Sequence, residues 1–200
     1  MFLRYETIAG KQLVGMRINM SFLEQRTAEL WRAFMSRRHE IKNAISSDLI
    51  SMQVYCAAAG PACVAGIPDF KNFKPDQRFD KWAAVEVGGE MELVQGQELG
   101  QVLEREQEER QRNRSSRKAI PVPHGMEYFM ISAGTYAVFL YRGRPQNSGP
   151  FFQEIFLNWL PNSGYELDSR PHFEVLGTKY KNDSDDSEEE IYIPVKKSGG

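Results

Sequence analysis

The chain has 200 residues, 41% hydrophobic and 26% charged, with a formal net charge of −2. That is long enough and apolar enough to bury a sizeable core. The near-neutral balance argues against a general electrostatic grip on nucleic acid, which needs a basic face.

The first residues, Met1-Phe2-Leu3-Arg4-Tyr5-Glu6, lack the basic-then-apolar plan of a signal peptide. No apolar run approaches the roughly 20 residues of a membrane helix. A first strand is predicted over Ala9 to Met16. Ser21-Phe22-Leu23-Glu24 has the capping-box form, and Leu23, Leu30, Trp31, Phe34 and Met35 follow at helical spacing. A helix is therefore predicted from 21 to about 40. Two strands follow, Ile50 to Tyr55 and Trp82 to Val87. Between them Cys56 and Cys63 match no common zinc or redox spacing and read as ordinary thiols of a reducing compartment. The expected location is the cytoplasm, with no metal, no cofactor, no membrane contact and no direct nucleic-acid partner.

Residues 88 to 120 break the pattern. Glutamates and arginines interleave from Glu104 to Arg112 without an apolar stripe, which reads as a solvated excursion. Then the earlier order returns. Ala133 to Leu140 is a strand. Pro150 to Pro161 is a helix with the stripe Phe152, Ile155, Phe156, Trp159 and Leu160. His172 to Leu176 and Glu190 to Val195 are strands. Strand, helix, strand, strand occurs twice, the pattern an internal duplication leaves. The expectation is one α+β domain over 1–200: a first half 1–87, the excursion 88–120 and a second half 121–196. The two β-α-β-β units would pack with pseudo-twofold symmetry around a central ligand cleft.

Glu174 stands between Phe173 and Val175 in a stretch that otherwise reads as buried, where an unpaired carboxylate is costly. Aligning the halves on Met52-Gln53-Val54-Tyr55 and Phe173-Glu174-Val175-Leu176 makes Gln53 the counterpart of Glu174. By strand alternation Phe173 and Val175 face one way, and His172, Glu174 and Leu176 the other. If the first set packs under the helix, Glu174 points into the groove between the halves. Aromatic residues on neighbouring strands, Tyr55, Trp82, Tyr136 and Tyr192, are candidate walls. His172 shares the strand face of Glu174. His39 and His124 have no evident partners, so no three-ligand metal site is expected.

On Gly134 to Phe139, Trp159 to Leu167, Pro171 to Glu174 and Glu190 to Val195, the sequence resembles the gyrase-inhibitor-like (GyrI-like) small-molecule-binding superfamily. That superfamily includes the effector-binding domains of some AraC-type and MerR-type multidrug-sensing regulators. The resemblance runs from about Tyr5 to Lys196 outside the excursion and implies the duplicated β-α-β-β fold. It also implies that Glu174 lies at the floor of an aromatic cleft for cationic or polar ligands. No helix-turn-helix precedes the match, so a stand-alone receptor for small hydrophobic, cationic or polar organic molecules is expected. Ligand-binding residues would be Glu174, Tyr55, Trp82, Tyr136, Tyr192, His172 and Gln53. A second expectation is a hydrolase opening strained rings of cyclopropane-type natural products. Glu174 would be its general base and Tyr136 or Tyr192 the hydrogen-bonding partner. A protein inhibitor of gyrase ranks third. Glu174 is expected to be more than half buried, with its carboxyl pKa raised, without a lysine or arginine partner, and beside at least two of the four aromatic residues.

Overall fold

A computed structural model describes residues 1–56, 65–66, 74–89 and 120–199. Most of the mixed-charge excursion, and Cys63, lie outside these residues. Ten strands are present among them: β1 (Phe2–Ile8), β2 (Lys11–Met20), β3 (Leu49–Cys56), β4 (Ala65–Gly66), β5 (Phe79–Glu86), β6 (Glu127–Ile131), β7 (Gly134–Arg142), β8 (Tyr165–Leu167), β9 (His172–Leu176) and β10 (Glu188–Lys197). They form one antiparallel sheet in the order β1-β7-β10-β9-β3-β5-β2-β6, with β4 beside β3 and β8 beside β10. Two helical segments complete an α+β fold, and no helix among the described residues is long and apolar enough to cross a membrane.

The edges of this sheet follow from one register. Ile8 pairs with Gly134 across β1 and β7, and Lys11 pairs with Ile131 across β2 and β6. The two ladders keep the same offset, so β1 and β2 act as one long strand kinked at Ala9-Gly10, running against β6 and β7. Gly10 takes the kink at φ 102°, a conformation open to glycine and costly for most other residues. Because the first and last strands of the order are covalently continuous with β2 and β7, the sheet curls back on itself. Ile8, Leu13 and Ile131 from its ends meet Met52, Trp82, Tyr136, Phe173 and Tyr192 in one interior cluster.

The outer face carries the helices. In α1 (Thr27–Arg37), Leu30 and Phe34 pack on Val14, Ala83 and Val85. The helix begins six residues later than the capping-box reading. Glu24 N does donate to Ser21 Oγ at 3.1 Å, so the local turn forms. The chain then leaves the helical path, because Leu23 N is taken by Pro75 O and Glu24 pairs with Arg78. The second segment is α2 (Gly149–Gln153), which widens into a π-helical stretch (Glu154–Trp159) and ends in a 3-10 turn (Leu160–Asn162) at Pro161. Its stripe of Ile155, Phe156, Phe152, Trp159 and Leu160 packs on Phe139, Ile191 and Ile193, as the periodicity predicted.

Candidate functional site

The central strands β3 and β9 lie between the helices. Their register places Ser51 opposite Glu174 and Gln53 opposite His172. Met52 and Phe173, also paired, join the interior cluster, so alternation sends Ser51, Gln53, His172 and Glu174 to the outer face. The sequence-based condition is therefore reversed: Phe173 and Val175 pack inside the curled sheet, and it is Glu174 that shares the helix face. The α1 helix sits on β2 and β5, and the α2 segment on β7 and β10. Glu174 lies on this outer face, on the strands between the two helical segments.

Glu174 is more than half buried, its side chain 13% exposed. It is not without a cationic partner: Lys81 Nζ lies 3.7 Å from its Oε2, and Lys81 is itself only 7% exposed. Lys81 is on β5, opposite Gln53. Lys81, Ala83 and Val85 alternate with Trp82 and Ala84, so lysine and carboxylate share the outer face of the sheet. The ion pair is longer than a hydrogen bond, a geometry that recovers little of the cost of burying two charges.

A second carboxyl, Glu189, is buried on β10 on the side of Ile191 and Ile193. Its pKa is raised to about 8, first by burial and then by the charge of Glu174, with Lys81 acting in the opposite sense. Burial thus favours the protonated form of Glu189. His172 is held down to about 4, chiefly by burial and partly by Lys81, against the opposing pull of Glu174. It is a neutral imidazole at neutral pH. Among the described residues only Asn43 Oδ1 and Arg170 Nη1 are fully buried polar atoms without a hydrogen bond. The charged ends of Lys81, Glu174 and Glu189 make no hydrogen bond to a described residue and are not among these fully buried atoms.

The walls are aromatic. Tyr55 lies with its ring 6.3 Å from the His172 ring, and its hydroxyl donates to Gln53 Oε1 at 3.1 Å. Burial, then the charge of Glu174, raises its pKa. Phe152 and Phe156 of the α2 segment approach His172 from the other side, with centroids 6.0 and 6.3 Å away. Tyr180 is raised to about 12 by burial and by the charges of Glu189 and Glu174.

The other three expected wall residues lie on the opposite face of the sheet from Glu174. Trp82, Tyr136 and Tyr192 point inside the curled sheet, one strand position out of phase with Lys81 and Ile191. The two tyrosine hydroxyls have partners of their own. Tyr136 OH donates to Pro171 O under the Arg170 guanidinium, and Tyr192 OH bonds Glu190 and Arg4. Trp82 stacks edge-on with Phe129 beneath Arg17. A hydrolytic Glu174 assisted by Tyr136 or Tyr192 would need those hydroxyls on its own face, and the pleat separates them. Of the expected set, the structure unites Glu174, His172, Gln53 and Tyr55. Sequence reading missed Lys81 and Glu189. Their signal was parity: Lys81 is in phase with Ala83 and Val85, and Glu189 with Ile191 and Ile193.

Known proteins share this arrangement of strands and helices. The C-terminal domain of EcmrR superposes with a TM-score of 0.57 at 14% identity, covering 98% of each chain. SAV2435, solved with tetraphenylphosphonium, gives 0.53 at 14% identity over 98% of this chain and 94% of that one. In sequence, the transcriptional regulator BrlR of Pseudomonas aeruginosa is 33% identical over 76 residues, 38% of this chain and 28% of BrlR. The match thus spans under a third of that regulator. The family model of the GyrI-like small molecule binding domain matches residues 1–196, nearly the whole sequence. By that match, the chain belongs to the GyrI-like family of small-molecule-binding domains.

Proposed function

We propose that the protein is a receptor for small hydrophobic organic molecules bearing a positive charge, held in the groove between α1 and the α2 segment. Glu174 anchors the charge, while Tyr55, Phe152, Phe156 and His172 supply the apolar walls and Gln53 a hydrogen-bonding edge. One observation carries this reading: a buried carboxylate that makes no hydrogen bond to a described residue and meets its lysine only at 3.7 Å, on the strand face where Tyr55, Phe152 and Phe156 gather around His172. Charge and cation–π attraction then act together on a lipophilic cation. The likeness to SAV2435, which binds tetraphenylphosphonium, supports the choice of ligand class. Such a receptor sequesters its ligand or reports it to a partner protein.

We also read the sheet as two β-α-β-β units related by a pseudo-twofold axis between Met52 and Phe173. The strand order supports this, since it reads the same from either end when β1 is exchanged with β6, β7 with β2, β10 with β5, and β9 with β3. The groove would then lie on the axis.

The test is a calorimetric titration with tetraphenylphosphonium and with its neutral relative triphenylphosphine oxide. The cation is expected to bind more tightly than the oxide. Glu174→Gln should weaken the cation at least about tenfold while changing the oxide little, since a partly desolvated charge pair is worth one to a few kcal/mol. Equal cation affinity in the native protein and the Glu174→Gln variant would remove Glu174 as the anchor.

A further inference from the structure

The sheet has an open edge at β1. Among the described residues β1 pairs only with β7, and Leu3 to Ile8 make no backbone hydrogen bond outside that ladder. Alternate amide and carbonyl groups of the strand therefore point away from the protein, an arrangement that accepts a further strand. β1 holds neither proline nor lysine, two residues that discourage such pairing. Its bulge lies between Phe2 and Arg4 and leaves Arg4 to Ile8 regular.

Aromatic surface lies beside this edge. Tyr5 is 40% exposed and Phe2 36%. Tyr5 pairs with Ala137, which packs under the α2 segment, so its ring is on the outer face. It stacks on Tyr165 at 4.5 Å and lies 6.1 Å from Trp159, while Phe2 stacks on Trp159 at 5.1 Å. The four rings form one continuous, partly exposed patch, a feature that marks contact surfaces.

The charges on the strand identify what fits there. When two copies of one edge pair antiparallel about a two-fold axis, directly opposite residues lie on the same face and one residue sits opposite itself. An axis at Arg4 or at Glu6 would set like charges opposite each other, which is destabilising. An axis at Tyr5 sets Arg4 opposite Glu6 of the second copy, and Glu6 opposite its Arg4. The strand is thus complementary to itself in that register. The two side chains are 42% and 36% exposed, so they can reach across while Arg4 keeps its own Glu6 and Glu190.

We propose that the protein forms a two-fold dimer through β1, the strands pairing antiparallel about Tyr5. The two sheets then join edge to edge, with both aromatic patches on one face. The bulge confines the pairing to a few residues, so the dimer is a reversible one.

The test is sedimentation velocity of the native chain up to about 100 µM. The mass should rise with concentration from one chain to two. Tyr5→Lys, which sets two lysines face to face, should weaken the dimer at least about tenfold. Arg4→Glu should do the same, and adding Glu6→Arg should restore the dimer. Cysteine cross-linking reads the register, with Cys56 and Cys63 changed to Ala. Tyr5→Cys should form a disulfide between copies under mild oxidation, since opposite Cα atoms are about 5 Å apart. Thr7→Cys should not, because its two copies stand about 14 Å apart. Circular dichroism checks the fold; if Arg4→Glu misfolds without its Glu190 contact, the two substitutions at the exposed Tyr5 carry the test. A native chain that stays monomeric overturns the proposal. So does a dimer that survives Tyr5→Lys, or one that cross-links through Thr7→Cys and not through Tyr5→Cys.

Discussion

Gly15→Ala is expected to destabilise the protein by about 3 kcal/mol or more, or to prevent folding, because overpacking against a rigid neighbour has no cheap relief. Gly15 pairs with Ala84 across β2 and β5. A methyl group built on it would stand 2.2 Å from Ala83 O and 2.7 Å from Ala84 Cα. Both are backbone atoms of a strand held on its far side by β3, so neither can withdraw without breaking a ladder. Gly149→Ala is the contrast. It opens α2, and a methyl group there meets nothing within 4 Å, so it should stay within about 1 kcal/mol of the native protein. Urea midpoints for the two variants check both. A Gly15→Ala midpoint near the native value would mean that β2 and β5 approach less closely than described.

His172 should make the fold acid-sensitive. Burial holds its folded pKa at about 4, against an ordinary value of 6.5. A base whose pKa is depressed on folding stabilises the fold above its unfolded pKa, and that contribution is lost as pH falls through the folded pKa. The window is therefore pH 6.5 down to 4. At about 1.4 kcal/mol per pH unit the loss across it is on the order of 3 kcal/mol. Glu189 acts in the opposite sense. Its carboxyl is raised from 4.5 to about 8, so its contribution is complete below 4.5 and fades as pH rises through 8. Denaturant unfolding of the native protein and His172→Gln at about pH 7 and about pH 4 separates the two. Glu189 contributes to both proteins, so the stability of the native protein relative to the variant should fall by on the order of 3 kcal/mol between those values. Equal losses would mean that the imidazole is solvated.

Much of this architecture could be read from residues alone, and the rest was hidden for identifiable reasons. The strand His172 to Leu176 was bounded correctly because its apolar residues sit between Pro171 and Gly177. The α2 stripe declared itself through Phe152, Ile155, Phe156 and Trp159, bracketed by prolines. β1 and β6 gave no such signal, since Arg4 and Glu6 interrupt one and both are short edges of the strand order. The start of α1 was misplaced because the Ser21 turn is real but is drawn toward Pro75 and Arg78 by contacts more than fifty residues away. In the site, Glu174 stood out as a charge inside an apolar strand. The aromatic walls were harder, because an aromatic residue suits either face of a strand. Only the register shows that Tyr55 shares the face of Glu174 while Trp82, Tyr136 and Tyr192 fill the interior. Lys81 was missed because β5 begins at Phe79, three residues before the predicted start, leaving the lysine outside the strand.

The most direct measurement is a crystal structure of the protein with tetraphenylphosphonium. The cation is expected between α1 and the α2 segment, its charge above Glu174 and its rings against Tyr55, Phe152 and His172. Density for the cation inside the curled sheet, against Trp82, Tyr136 and Tyr192, would contradict the receptor groove described above.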